Sequence, residues 1–193
     1  MSVRGMLGIA AGALMAATAA FAGETVVVPN VLGPEGPLFI GGDLYYVAWT
    51  SDTLNKWDGK TSVVVNHTKG CSHNGLALTR QRTFLIACDG PAGAIVETDM
   101  AGKQLHRWDS DGNGKKLTGG INDIVVTANG GAYATLSGLF VNPPAAVMGE
   151  ILYRAPHGDK WVPVAADLNY ANGVGVSPDQ KTLYVAETVG NCI

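Results

Sequence analysis

An asparagine opens the same short apolar pattern three times in this chain, at steps of 48 and 50 residues. The copies are Asn74-Gly75-Leu76-Ala77-Leu78, Asn122-Asp123-Ile124-Val125-Val126 and Asn172-Gly173-Val174-Gly175-Val176. Each is followed by a polar turn and a second apolar run, over residues 83–88, 131–136 and 181–186. A single Asn-Gly before an apolar run is ordinarily a turn, because both residues tolerate positive φ. Three copies in phase, one with Asp where the others have Gly, ask for more. A side chain that recurs at one point of a structural repeat recurs at one point in space. In a ring of repeats that point can be the central axis, where several amide oxygens would suit a hard cation.

A period of 40–50 residues built from short strands is the mark of a β-propeller, whose blades are four-stranded antiparallel sheets. Runs at 44–49, 83–88, 133–136 and 182–186 are rich in Val, Leu, Ile, Tyr and Phe and are bounded by turn residues such as Gly41-Gly42-Asp43 and Asn129-Gly130-Gly131. Third runs follow at 53–58, 94–99 and 150–155, and fourth runs at 62–65, 104–108 and 161–165. Beyond residue 22 no segment has a 3.6-residue apolar period. The expected fold is therefore all-β.

The ends bound the domain. Arg4, an Ala- and Gly-rich apolar stretch over 6–19 and Ala20-Phe21-Ala22 have the form of a secretory signal cleaved after Ala22. The apolar stretch is short for a membrane span. The expectation is a signal peptide at 1–22, no stable membrane anchor after its removal, and a periplasmic or secreted domain over 23–193. That remainder holds about three and a half four-stranded blades at the observed period, an incomplete propeller that reads as the N-terminal part of a longer protein or a truncated gene product. Charged residues make up 15% of the sequence and the net charge is −3, without a basic patch. Nucleic acid is not an expected partner.

The three cysteines form no CxxC, which argues against a thiolate zinc site. Cys71 and Cys88 would lie across one hairpin if residues 79–82 form its turn. In an oxidising compartment they can be bridged; two buried thiols are the other reading. There is no G-x-S-x-G and no histidine at an interpretable offset from a serine. His73 adjoins Asn74, so strand alternation turns it away from the axis. His67, His106 and His157 read as surface. Trp57, Trp108 and Trp161 read as blade packing.

Three stretches carry a family resemblance. Gly33-Pro34-Glu35-Gly36-Pro37 with Gly42-Asp43-Leu44-Tyr45-Tyr46-Val47 resembles the opening of gluconolactonases, regucalcin (senescence marker protein) and bacterial lactonases. Residues 116–126 and the stretch from Tyr170 to Thr188 resemble their next two motifs, and are also similar to paraoxonase segments. The resemblance runs from about Gly33 to the end of the chain. It implies a six-bladed propeller with one divalent metal at the axis, usually calcium and in some members zinc, acting on a small-molecule lactone or ester. Carried over residue by residue, it makes Glu35 and Asn172 metal ligands, puts Asn122 against the metal or the substrate, and makes Asn74 a polar channel residue toward the substrate. The family's later aspartate, a ligand and proposed base, has no match here, which leaves Glu35 and Asp123 as carboxylates near the expected site. Asp123 is expected to cap a turn or point away along its strand. Gly120 stands where some members place a substrate-contacting arginine. The leading expectation is an exported metal-dependent hydrolase. The alternative is a non-catalytic propeller, a binding scaffold or an inactive remnant.

Overall fold

The computed structural model describes residues 25–90, 93–138 and 149–193. The expected signal segment lies outside the described residues. Three four-stranded antiparallel sheets follow one another as meanders. The first comprises β1 (Pro34–Ile40), β2 (Asp43–Ala48), β3 (Thr53–Trp57) and β4 (Ser62–His67). The second comprises β5 (His73–Leu78), β6 (Phe84–Cys88), β7 (Ala94–Thr98) and β8 (Gln104–Trp108). The third comprises β9 (Ile121–Val126), β10 (Ala132–Leu136), β11 (Gly149–Arg154) and β12 (Val162–Leu168). A two-stranded sheet, β13 (Ala171–Val176) with β14 (Leu183–Glu187), completes the described chain. The first strand of each sheet packs on the first strand of the next, β1 on β5, β5 on β9 and β9 on β13. These are the inner strands of a propeller arc. The structure is a partial β-propeller, all-β among the described residues.

The sequence runs match these strands to within two or three residues at each end, with β1 as the exception. Pro34 and Pro37 sit in it, and proline reads as a strand breaker because it cannot donate to a ladder. The ladder to β2 breaks between Glu35 and Leu38, and this irregularity accommodates the Pro37 ring.

The blades are held by cores that share the second sheet. β6 is buried along its whole length. Its alternate side chains serve two interfaces: Phe84, Ile86 and Cys88 pack with Tyr45, Val47 and Leu54 of the first blade. Leu85 and Ala87 pack with Ile121, Ala134, Leu152 and Trp161 of the third. A strand buried on both faces reads as an unbroken apolar run, which is what residues 84–88 are. Farther out, the Arg154 guanidinium lies 5.2 Å from the Trp108 ring and 5.4 Å from the Trp161 ring, and reaches Glu97 at 3.5 Å. This latch joins the second and third blades and accounts for Trp108 and Trp161 as packing residues. The outer strands β4, β8 and β12 are largely exposed.

Cys71 and Cys88 form a disulfide, with Cα atoms 4.5 Å apart, so the bridged alternative holds. It clamps the start of β5 to the end of β6. His73 is fully buried and donates from Nε2 to Asn66 Oδ1 at 3.2 Å, while Nδ1 has no partner among the described residues. A second ring proton would be buried without an acceptor. Desolvation accordingly pushes the His73 pKa down to about 4, against a smaller upward pull from Asp52 and with a further downward push from His67.

Two outcomes follow from this packing. Converting Cys71 and Cys88 together to Ala frees a loop closed over a sequence separation of 17, and lowers the unfolding free energy by about 3 kcal/mol. Urea titration measures this, and a loss under about 0.5 kcal/mol, well below the loop-entropy value, would show that the bridge does not constrain the fold. His73 is neutral in the fold and has a folded pKa below its unfolded value of 6.5. Its contribution is therefore complete above pH 6.5 and is lost as pH falls toward 4. Over that window the native protein should lose up to about 3 kcal/mol more than His73→Gln, since groups common to both cancel in the difference. Parallel pH–stability curves would contradict the assignment.

Candidate functional site

One backbone device recurs at the opening end of every inner strand. Gly33, Ser72, Gly120 and Tyr170 all take left-handed φ values, between 51° and 88°. Each carbonyl accepts the N–H of the residue just after the second strand of its own sheet. The donors are Trp49, Asp89, Ser137 and Thr188, at 3.0–3.1 Å. Two residues beyond the left-handed position comes Glu35, Asn74, Asn122 or Asn172. The ladder then slips in every blade: between Glu35 and Leu38, His73 and Leu76, opposite Ala134–Leu136, and between Ala171 and Val174. Such irregularities re-aim side chains.

The result is a pocket of about 290 Å³ on the axis, lined by Glu35, Asn74, Asn122, Asp123 and Asn172 among others. All four residues singled out from sequence meet there. Neither Gly75 nor Gly173 has a left-handed φ, so these Asn-Gly pairs are not turns. Gly75 serves close approach instead: a Cβ there would lie 2.6 Å from Asp123 Cα and 2.8 Å from Asn122 O. Gly36 does the same, its would-be Cβ 2.8 Å from Leu76 Cβ.

Two of the amides are oriented by their own blades. Asn172 donates from Nδ2 to Thr188 Oγ1 at 2.9 Å, and Asn74 donates from Nδ2 to Asp89 Oδ2 at 3.2 Å. Each amide nitrogen is thus held on a group of its own blade, and the side-chain carbonyl oxygen accepts none of the hydrogen bonds seen among the described residues. Asn122 is buried and Glu35 is exposed at the rim. Among the described residues no three His, Cys, Asp or Glu side chains gather as a metal group, so any cation held here would rest on amide oxygens with Glu35.

Asp123 neither caps a turn nor points away from the pocket. Oδ2 accepts the Val174 N–H at 2.9 Å and Oδ1 the Ile124 N–H at 2.8 Å, which ties β9 to β13. Thr135 reinforces the tie by donating to the Asn172 carbonyl at 2.7 Å. Burial raises the Asp123 pKa and the two N–H bonds oppose the rise. Both carboxylate oxygens are engaged, so Asp123 is a bracing group more than a free base. His73 faces the core and does not line the pocket.

Sequence reasoning missed Asp89. It directly follows β6, and burial pushes its pKa up to about 6, opposed by the Asn74 bond. Its only sequence signal was phase: it occupies the same position as Ser137 and Thr188, one residue past a second strand. A Cβ on Gly120 would lie 1.9 Å from Asp89 Oδ1, so any side chain at 120 must displace this carboxylate.

Comparison with known proteins agrees with the fold. The SMP-30/Gluconolactonase/LRE-like region matches residues 33–193. The lactonase drp35 of Staphylococcus haemolyticus is 35% identical over 100 residues, 51% of this chain and 29% of that protein. The drp35 lactonase of Staphylococcus epidermidis is 32% identical over a stretch of the same length. A gluconolactonase structure from Xanthomonas campestris superposes with a TM-score of 0.69 at 25% identity, covering 84% of this chain and 57% of that one. A regucalcin from Agrobacterium tumefaciens, described as calcium-binding, superposes with a TM-score of 0.62 at 23% identity, covering 84% and 52%. The chain thus spans under a third of the curated lactonases and a little over half of these solved structures. With four sheets arranged around one amide-lined axis and a match over nearly all of the described residues, the chain belongs to the SMP-30/gluconolactonase/LRE-like family.

Proposed function

We propose that this protein is a metal-dependent hydrolase of lactones or related esters, working at the axial pocket. The observation that carries the reading is the convergence of Glu35, Asn122 and Asn172 on that pocket, with the Asn172 amide turned by Thr188 so that its oxygen stays free. The donors fit a hard cation. They are all oxygen, one of them charged, and among the described residues neither His nor Cys lines the pocket, which favours calcium over zinc. A divalent cation held by these residues would supply Lewis-acid polarisation of the substrate carbonyl. The chain itself does the positioning. Asn74 and Asn122 offer amide groups to the substrate's polar edge, and the braced β9–β13 pair keeps these groups from drifting. The relatives' lactonase and gluconolactonase names point to the same substrate class.

Export is part of the proposal. The signal-like N-terminus motivates it, and the Cys71–Cys88 disulfide suits an oxidising compartment. Cell fractionation tests this, and retention of the full-length chain in the cytoplasm would contradict it.

The functional reading is tested by calorimetric titration with calcium, and by turnover of γ- and δ-lactones before and after chelation. Chelator-sensitive hydrolysis is expected. Glu35→Gln removes the one formal charge from the proposed ligand set, and should weaken calcium binding by about tenfold or more, because ligand charge governs affinity at such sites. Equal affinity in Glu35→Gln, or lactone turnover indifferent to chelation, would refute the metal assignment.

A further inference from the structure

We infer that Asp89, joined to the lining residue Asn74 beside the axial pocket, determines specificity there, selecting substrates that carry a hydrogen-bond donor, an ammonium above all, and disfavouring those that carry a carboxylate. The inference rests on the hydrolase reading above and names the substrate class within it.

Three observations place Asp89 for that task. Its Oδ2 is joined to Asn74, which lines the pocket. Its Oδ1 fills the space beside Gly120, where the left-handed φ of 88° and the missing side chain together leave the carboxylate undisturbed. Its charge reaches Tyr170, whose phenol is pushed up first by burial and then by Asp89. One carboxylate from the second blade thus faces residues at the start of the third and fourth inner strands. It is half-buried and not fully enclosed, and it stands directly beside Asn74 of the pocket lining.

The protein's own charge around it has one sign. Glu35 and Asp123 line the pocket, and among the described residues neither lysine nor arginine does. An incoming carboxylate would meet Asp89 without a compensating cation from the protein, whereas an ammonium or hydroxyl would find an acceptor. Discrimination by a repulsive partner as well as an attractive one is an ordinary route to specificity. Hydrogen bonds to charged groups are also stronger than neutral ones. Nothing about the Asn74 bond requires a carboxylate, since a neutral amide oxygen would accept it equally well. The charge is the feature that the structural role leaves unexplained.

The test compares two six-membered lactams, which cannot turn over as lactones do: one bears an amino group, the other a carboxylate. Dissociation constants are measured by calorimetry on the full chain at pH 7.5 with chelator present, so that no bound cation attracts the carboxylate. The amino lactam should bind about tenfold tighter or better, the scale of one charge-assisted hydrogen bond. Asp89→Asn should shrink that ratio by about tenfold, and Asp89→Ser should do the same if the amide variant folds poorly. Asn74→Ala separates a direct role from one exerted through Asn74: it should weaken both lactams alike and leave the ratio unchanged. A ratio unaltered by Asp89→Asn, a ratio altered equally by Asn74→Ala, or failure of the native protein to bind either lactam would overturn the inference. Turnover of unsubstituted δ-valerolactone reports separately on the hydrolase reading, which can stand while the specificity role fails.

Discussion

The architecture depends on a hydrogen bond made four times. In each blade the residue just past the second strand donates its backbone N–H to a left-handed residue just before the inner strand. That bond sets where the inner strand begins. The irregularity that follows turns one side chain, two residues on, toward the axis. Fold and site share a cause, because the device that opens each blade is also the device that aims its functional group. A left-handed backbone costs a non-glycine residue about a kcal/mol or more. Ser72 and Tyr170 adopt it all the same, which shows how strongly their surroundings hold it.

The second feature is economy of donors. An asparagine amide offers both a donor and an acceptor, and only the acceptor is useful toward a cation or an electron-poor substrate hydrogen. Thr188 and Asp89 each take one N–H of Asn172 and Asn74 and leave the oxygens as acceptors. Asp123 uses its carboxylate differently, in bracing adjacent inner strands through the Val174 N–H. Next to Asn74 a glycine stands where the third blade has Asp123, and the absence of a side chain there lets the two strands approach. The one departure from Asn-Gly in the repeat thus has a packing reason.

Much of this was legible in the sequence and some was not. The strands of the second and third blades could be read because their apolar runs are bounded by strong turns, and the double burial of β6 shows as five consecutive apolar residues. The axial asparagines were legible through their period. Glu35 was not part of that period: a glutamate replaces the asparagine, its step to Asn74 is only 39 residues, and Pro34 and Pro37 hide its strand. It was reached only through family resemblance. Asp89 escaped because its significance is tertiary. It lies at the end of one blade and faces Gly120 of the next, a contact that no local pattern encodes. Asp123 was misjudged for a similar reason, its partner Val174 being 51 residues away.

The central claim is that amide groups from successive blades converge to act on one ligand. Side-chain amide resonances of Asn74, Asn122 and Asn172, followed by ¹⁵N NMR during a calcium titration, test it directly. The account predicts that the Asn122 and Asn172 signals shift together along one saturating curve, with Asn74 perturbed in step as their neighbour in the pocket. Signals that stay still, or that titrate with unrelated midpoints, would contradict a common axial site.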